Sequence, residues 1–167
     1  KFIERNKDEK FFVFYASPIP HLPLQAPEKW VNYYKDKFGD EKPYTGGSGY
    51  YPNQYPKATY AAMISYLDQQ VGELVKKLKE IGKYDNTLII FSSDNGPTHI
   101  KHVDIDFFNS AGPFLNSENT VKGNLNEGGI RVPTIVTWPD VIPSGSESNH
   151  PSTFYDYLAT VSELVGV

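Results

Sequence analysis

The chain contains no cysteine. Its 167 residues therefore hold no disulfide framework, no thiolate zinc site and no cysteine nucleophile. Long apolar runs are also missing, which excludes a transmembrane helix, and the charged opening KFIERNKDEK lacks the apolar core of a signal peptide. Nor is there an excess of positive charge. Sixteen basic against twenty acidic residues leave a net charge of -4, and no Lys/Arg cluster tracks along a helix or loop, so the electrostatic footprint of a nucleic-acid binder is absent. An initiating methionine is missing as well: the chain begins at Lys1, and the expectation is a part of a longer protein.

What is abundant is aromatic. Twelve Tyr and ten Phe within a hydrophobic fraction of 39% describe a folded globule with an aromatic-rich surface or cleft. The length suits a single domain spanning residues 1–167.

KFFVFYAS, residues 10–17, is apolar on both faces, the pattern of a strand buried from two sides. PIPHLPLQAPEKW follows; its prolines predict a stiff extended loop, poor in helix, that carries His21. YTGGSGYYPNQYP, residues 44–56, reads as a second loop, in which Tyr50 and Tyr51 offer an aromatic wall for a sugar or aryl ring. From Lys57 to Gly82, Ala61, Ile64, Leu67, Val71, Leu74, Val75, Leu78 and Ile81 recur at helical spacing, with Gly82 as the C-terminal cap. Thr87 to Ser93 and residues 132–138 read as short, fully buried strands, and residues 154–165 as a closing helix before Gly166. Buried strands alternating with long helices predict an α/β layered fold with a mixed, mostly parallel sheet flanked by helices.

In such sheets ligands gather at the carboxyl ends of strands. His21 follows the first strand; Asp94 and Asn95 end the second; Lys122, Glu127 and Arg131 precede the third. Each has a plain structural explanation: an Asx turn for Asp94 and Asn95, a loop packing role for His21, a solvated pair for Lys122 and Glu127. Gly128 and Gly129 read as a position of positive φ or of close chain approach. Taken together the polar residues point further. A carboxylate beside an amide oxygen is hard-oxygen ligation suited to Ca²⁺ or Mg²⁺, and a His with a Lys supplies donors for an anionic substrate. The chemistry implied is transfer or hydrolysis of an oxyanion ester. Asn95 in place of an imidazole argues against a two-zinc phosphatase centre.

Four segments in order, FFVFYASPIPHLPLQAP, SYLDQQVGELVKKL leading into NTLIIFSSDNGP, KGNLNEGGIRVPTIVTWP and HPSTFYDYLATVSELVGV, closely resemble the formylglycine-dependent sulfatases, the arylsulfatase family of the alkaline-phosphatase-like superfamily. The resemblance spans essentially the whole chain and implies a partial alkaline-phosphatase-like fold. It implies that Asp94 and Asn95 complete a calcium site, that Lys122 contacts the substrate sulfate, and that His21 contacts sulfate and protonates the leaving alcohol. Glu127 and Arg131 match the motif as loop supports. The departure from the family pattern is the nucleophile: no Cys or Ser-x-Pro-x-Arg motif occurs, and Ser17-Pro18-Ile19-Pro20-His21 has the wrong register. A formylglycine is expected upstream, with this chain as the later part of the catalytic domain, binding metal weakly and turning nothing over by itself.

Residues 97–121 read as a long insertion in which His99 and His102 are candidate substrate contacts, while His150 reads as structural. The resemblance implies sulfate-ester hydrolysis, on an aryl sulfate or, favoured by the Tyr-rich loop, a sulfated carbohydrate, by an exported protein. The alternatives are a phosphodiesterase or phosphonate hydrolase of the same superfamily and a non-catalytic module that binds anionic glycans. Unpaired sheet edges predict self-association of the fragment.

Overall fold

A computed structural model describes residues 1–47, 50–100, 103–115 and 121–167. In chain order its elements are α1 (Phe2–Arg5), α2 (Glu28–Phe38), α3 (Pro56–Glu80), β1 (Ile89–Phe91), α4 (Ile105–Phe108), a 3₁₀ turn (Gly112–Phe114), α5 (Glu127–Ile130), β2 (Ile135–Thr137) and α6 (Phe154–Val165).

Helix α3 is the spine, and both of its ends are chemically specified. Pro56 occupies the first turn, where a missing N–H costs nothing. The next two amides, of Lys57 and Ala58, donate to the Glu41 carboxylate at 2.6 and 3.0 Å, so an acid from a distant loop caps the positive end of the helix dipole. At the other end Gly82 adopts φ +67°, and the amides of Gly82 and Lys83 return to the carbonyls of Lys79 and Leu78 in a Schellman closure.

Helix α2 packs along α3. Trp30 Nε1 and Lys29 Nζ both donate to Gln69 Oε1, at 3.1 and 2.8 Å, and the Tyr34 hydroxyl lies 2.7 Å from Ser65 Oγ. This helix takes in Glu28, Lys29 and Trp30, which the proline-rich reading assigned to an extended loop. The prolines end at Pro27, which serves as the N-cap residue, and Glu28 in the first turn with Lys35 and Lys37 in the last complements the dipole.

Leu24, Tyr60, Met63 and Val103 form the main core cluster, against which Ile19, Leu22, Ala26 and Phe108 pack. An aromatic network extends it: Phe108 meets Tyr60, Phe107 and Phe38 edge-on, with centroids 5.1, 5.0 and 6.3 Å apart. Within the insertion after the Asp94 loop, the described residues 103–115 thus include a short helix, α4, opened by Asp104, whose Oδ1 accepts from the Phe107 amide at 2.9 Å. A second small cluster joins Ile105, Ala111 and Val121.

The class is α/β, and β1, β2, α3 and α6 form where the sequence pattern places them, but residues 10–17 form no strand and the sheet differs from expectation in three ways. The described pair, β1 with β2, is antiparallel, with Ile90 opposite Val136. Both strands expose apolar side chains, Ile135 by 61%, because no third strand or helix among the described residues covers them. Residues 10–17 run without a ladder partner among the described residues, and Phe12 and Phe14 are 75% and 82% exposed. Helix α6 forms as expected, closed by Gly166 at φ +80° and opened by the Asp156 carboxylate accepting from the Thr153 amide at 2.6 Å.

Candidate functional site

β1 ends at Phe91, and the chain turns through Ser93, Asp94, Asn95 and Gly96. The turn is shaped from within: Ser93 Oγ donates to the Asn95 carbonyl and Asn95 Nδ2 donates to the Gly96 carbonyl, both at 3.0 Å. Using Nδ2 inward leaves the other amide atom, Oδ1, without a hydrogen bond among the described residues. The exposed Asp94 carboxylate likewise makes no hydrogen bond or ion pair among them. Two adjacent hard oxygen groups therefore stand with their acceptor capacity unspent.

The Lys122 loop is fastened directly to this turn. The Gly96 amide donates to the Gly129 carbonyl at 2.8 Å, and the Lys122 amide donates to the Pro97 carbonyl at 3.0 Å. The approach is too close for side chains: a Cβ on Gly96 would sit 1.9 Å from the Gly128 oxygen, and one on Gly129 would sit 2.1 Å from the Asn124 oxygen. Close chain approach, rather than positive φ, is thus the reason for glycine at 96 and 129. Fully buried Val121 anchors the loop immediately before Lys122, whose own side chain is half-buried. Beyond the glycines, Arg131 pairs with Glu127 at 3.1 Å and stands 4.8 Å over the Phe114 ring, tying α5 to the insertion.

His21 stands on a separate segment, between cis peptide bonds at Pro20 and Pro23. Its Nδ1 lies 2.9 Å from the Leu22 carbonyl, and a carbonyl can only accept, so Nδ1 carries the hydrogen and Nε2 is the atom left for a substrate. The flanking Ile19, Leu22 and Leu24 share a hydrophobic cluster with Val103, which connects this loop to the segment that follows the Asp94 turn. His99 is exposed within that segment, and His102 lies outside the described residues. Tyr50 and the 76% exposed Tyr51 stand on a third loop, closed by the Tyr44–Asn53 bridge. His150 is exposed near the start of α6.

Sequence reasoning missed α2, the Glu41 cap and a cleft beside α2. The first had a signal in Trp30, Tyr34 and Phe38, spaced four apart on one helix face. The other two depend on distant residues meeting.

The Sulfatase family model matches residues 1–167. The chain belongs to the sulfatase family. Human arylsulfatase H is 30% identical over 169 residues, covering 99% of this chain and 25% of that protein. Human N-acetylgalactosamine-6-sulfatase is 27% identical, covering 99% of this chain and 27% of its own length. Among solved structures, Ps i-CgsB superimposes with a TM-score of 0.75 at 32% identity, over 99% of this chain and 32% of that one. The same protein has been solved with k-i-k-neocarrahexaose, with a TM-score of 0.65 over 89% of this chain. The chain thus spans about a quarter to a third of these relatives.

Sulfatases in general use a metal ion and a formylglycine. The Asp94–Asn95 oxygens fit a hard divalent cation in kind. They do not fill its shell, since no group of three or more His, Cys, Asp or Glu side chains suited to a metal gathers among the described residues. No helix among them is long and apolar enough to cross a membrane.

Proposed function

We propose that this chain is the part of a sulfate-ester hydrolase that completes a calcium site and grips the sulfate, acting on a sulfated carbohydrate. The observation that supports the reading is the double backbone tie, Gly96 to Gly129 and Lys122 to Pro97, which fastens the segment that carries Lys122 to the turn that carries Asp94 and Asn95.

In this reading Asp94 and Asn95 Oδ1 hold Ca²⁺, with Mg²⁺ as the chemically similar alternative. When bound, the cation polarises the sulfuryl oxygens as a Lewis acid. Lys122 places a positive charge where the ester oxygens gain negative charge, and preorganisation by its loop makes that charge effective without rearrangement. His21, oriented by its Nδ1–H donating to the Leu22 carbonyl, acts as the imidazolium: its Nε2–H proton goes to the leaving alcohol and the ring is left neutral with a free Nε2 lone pair. Glu127 and Arg131 brace the loop, and His99, His102, Tyr50 and Tyr51 are the candidate contacts to the rest of the substrate. The nucleophile is a formylglycine from a Cys/Ser-x-Pro-x-Arg motif, which these residues do not include. Oligosaccharide substrates are supported by the hexasaccharide-bound neighbour and by the Tyr-rich loop. The family resemblance supports export, and the edges of the β1–β2 pair, unpaired among the described residues, support self-association, which sedimentation velocity would measure.

The deciding experiment maps the intact mass and peptides of the protein as its source makes it, and assays sulfate release from a sulfated galactan oligosaccharide. A formylglycine, turnover, and a loss of about a hundredfold in kcat/KM on Lys122→Ala support the reading. Glycan binding with neither formylglycine nor turnover would transfer the chain to the non-catalytic binding class.

A further inference from the structure

Beside α2 lies an open cleft of about 370 Å³, a size within the usual range of small-ligand sites, ~300–1,000 Å³. Three segments build it: the proline-rich loop, the first turns of α2, and the residues leading into α3. Asn53 holds them together, donating from Nδ2 to the Leu24 carbonyl at 3.2 Å while its Oδ1 accepts from the Tyr55 amide and from Thr59 Oγ1 at 2.9 and 3.1 Å. Buried Thr59 and Leu24 make the wall rigid. Lys35, 4.0 Å over the Tyr55 ring, fixes that aromatic in turn.

The lining is divided by chemistry. Leu24, Ala26 and Val31 give an apolar patch, and around it the exposed Gln25, Glu28 and Gln54 side chains make no hydrogen bond or ion pair among the described residues. An open apolar patch with polar groups about it suits a pyranose, which has C–H faces and a rim of hydroxyls. The charge selects which pyranose. The Glu28 carboxylate accepts hydrogen bonds from hydroxyls and repels a sulfate. Leu24 is also three residues from His21 in one loop, a chain span of at most about 11 Å, which a few linked sugars cover.

We propose that this cleft is a subsite for an unsulfated sugar ring of an oligosaccharide whose sulfate ester is held beside His21. The proposal rests on the sulfatase reading for the second half of that statement only. Glu28 sets specificity by excluding sulfate, and Gln25 and Gln54 read ring hydroxyls.

The test uses the intact protein with two probes, a neutral galactan tetrasaccharide followed by titration calorimetry and a small aryl sulfate followed by turnover. Glu28→Ala is expected to weaken tetrasaccharide binding about tenfold or more, the cost of a lost hydrogen bond to a charged group, and Gln54→Ala about three- to tenfold, that of a neutral one, both leaving the aryl-sulfate KM unchanged. Glu28→Gln, which keeps an acceptor and removes the charge, should recover part of the affinity and admit a sulfated ring. Both positions are exposed, so the variants fold, as far-UV circular dichroism would verify. Tetrasaccharide that fails to bind, or binds all variants alike, overturns the subsite even where turnover is normal. Cleft-dependent binding without turnover leaves the subsite standing and removes the sulfatase reading instead.

Discussion

The Gly96 amide and the Gly129 carbonyl meet at 2.8 Å across two loops that lie 33 positions apart in the chain, and no side chain fits between them. The contact joins the oxygen pair to the lysine loop. Gly96→Ala should therefore destabilise by about 1–3 kcal/mol and displace Lys122, because the new methyl meets rigid backbone. Gly72→Ala is the control of opposite sign: it lies inside α3 with open space around its Cβ, and should stabilise by about 0.5–1 kcal/mol. Urea denaturation of both variants measures the contrast.

Glu41 caps α3 from outside the helix, and its two acceptor oxygens serve two amides. Glu41→Ala should cost about 1–2 kcal/mol, and Glu41→Gln less, since one oxygen remains to accept. Hydrogen exchange should show faster exchange of the Lys57 and Ala58 amides before any global loss of α3.

Phe108 connects the insertion to the helical pair through Tyr60, Phe107 and Phe38. Phe108→Ala should cost about 2 kcal/mol, below the ~3–5 kcal/mol of a fully buried phenylalanine, because the ring is half-buried. A change in the near-ultraviolet aromatic dichroism with unaltered far-ultraviolet signal would identify loosened packing rather than lost helix.

Lys77 of α3 bridges Glu80 at 2.6 Å and Glu4 of α1 at 3.3 Å. Hydrogen bonding to Lys77 lowers the pKa of both Glu4 and Glu80 from the ordinary value of 4.5, and hydrogen bonding to Glu80 and then Glu4 raises that of Lys77 from 10.5. The depressed carboxylates contribute above their unfolded value and lose that contribution as pH falls through the folded one. The raised ammonium contributes below its unfolded value and loses it as pH rises through the folded one. The bridge is thus present between about pH 5 and 10. Lys77→Met should lower Tm modestly at pH 7, act progressively less as pH falls below about 4.5, and act less in high salt, as exposed pairs do.

What the sequence by itself determined was local. Apolar spacing set α3 and α6, Gly82 and Gly166 set where those helices stop, and the abrupt polar end of TLIIFSSDNGP marked a turn with oxygen donors to spare. Each of these is written within a few residues by helix period, cap chemistry or turn chemistry. The tertiary structure alone decided what meets across long separations: Gly96 with Gly129, Glu41 with the start of α3, and the three segments of the cleft. It also decided that the apolar faces of residues 10–17 and of the strand pair are exposed, where hydropathy had them buried. A run of apolar residues states which side chains gain from leaving water, but the neighbour that covers them is a property of the assembled chain and not of the run.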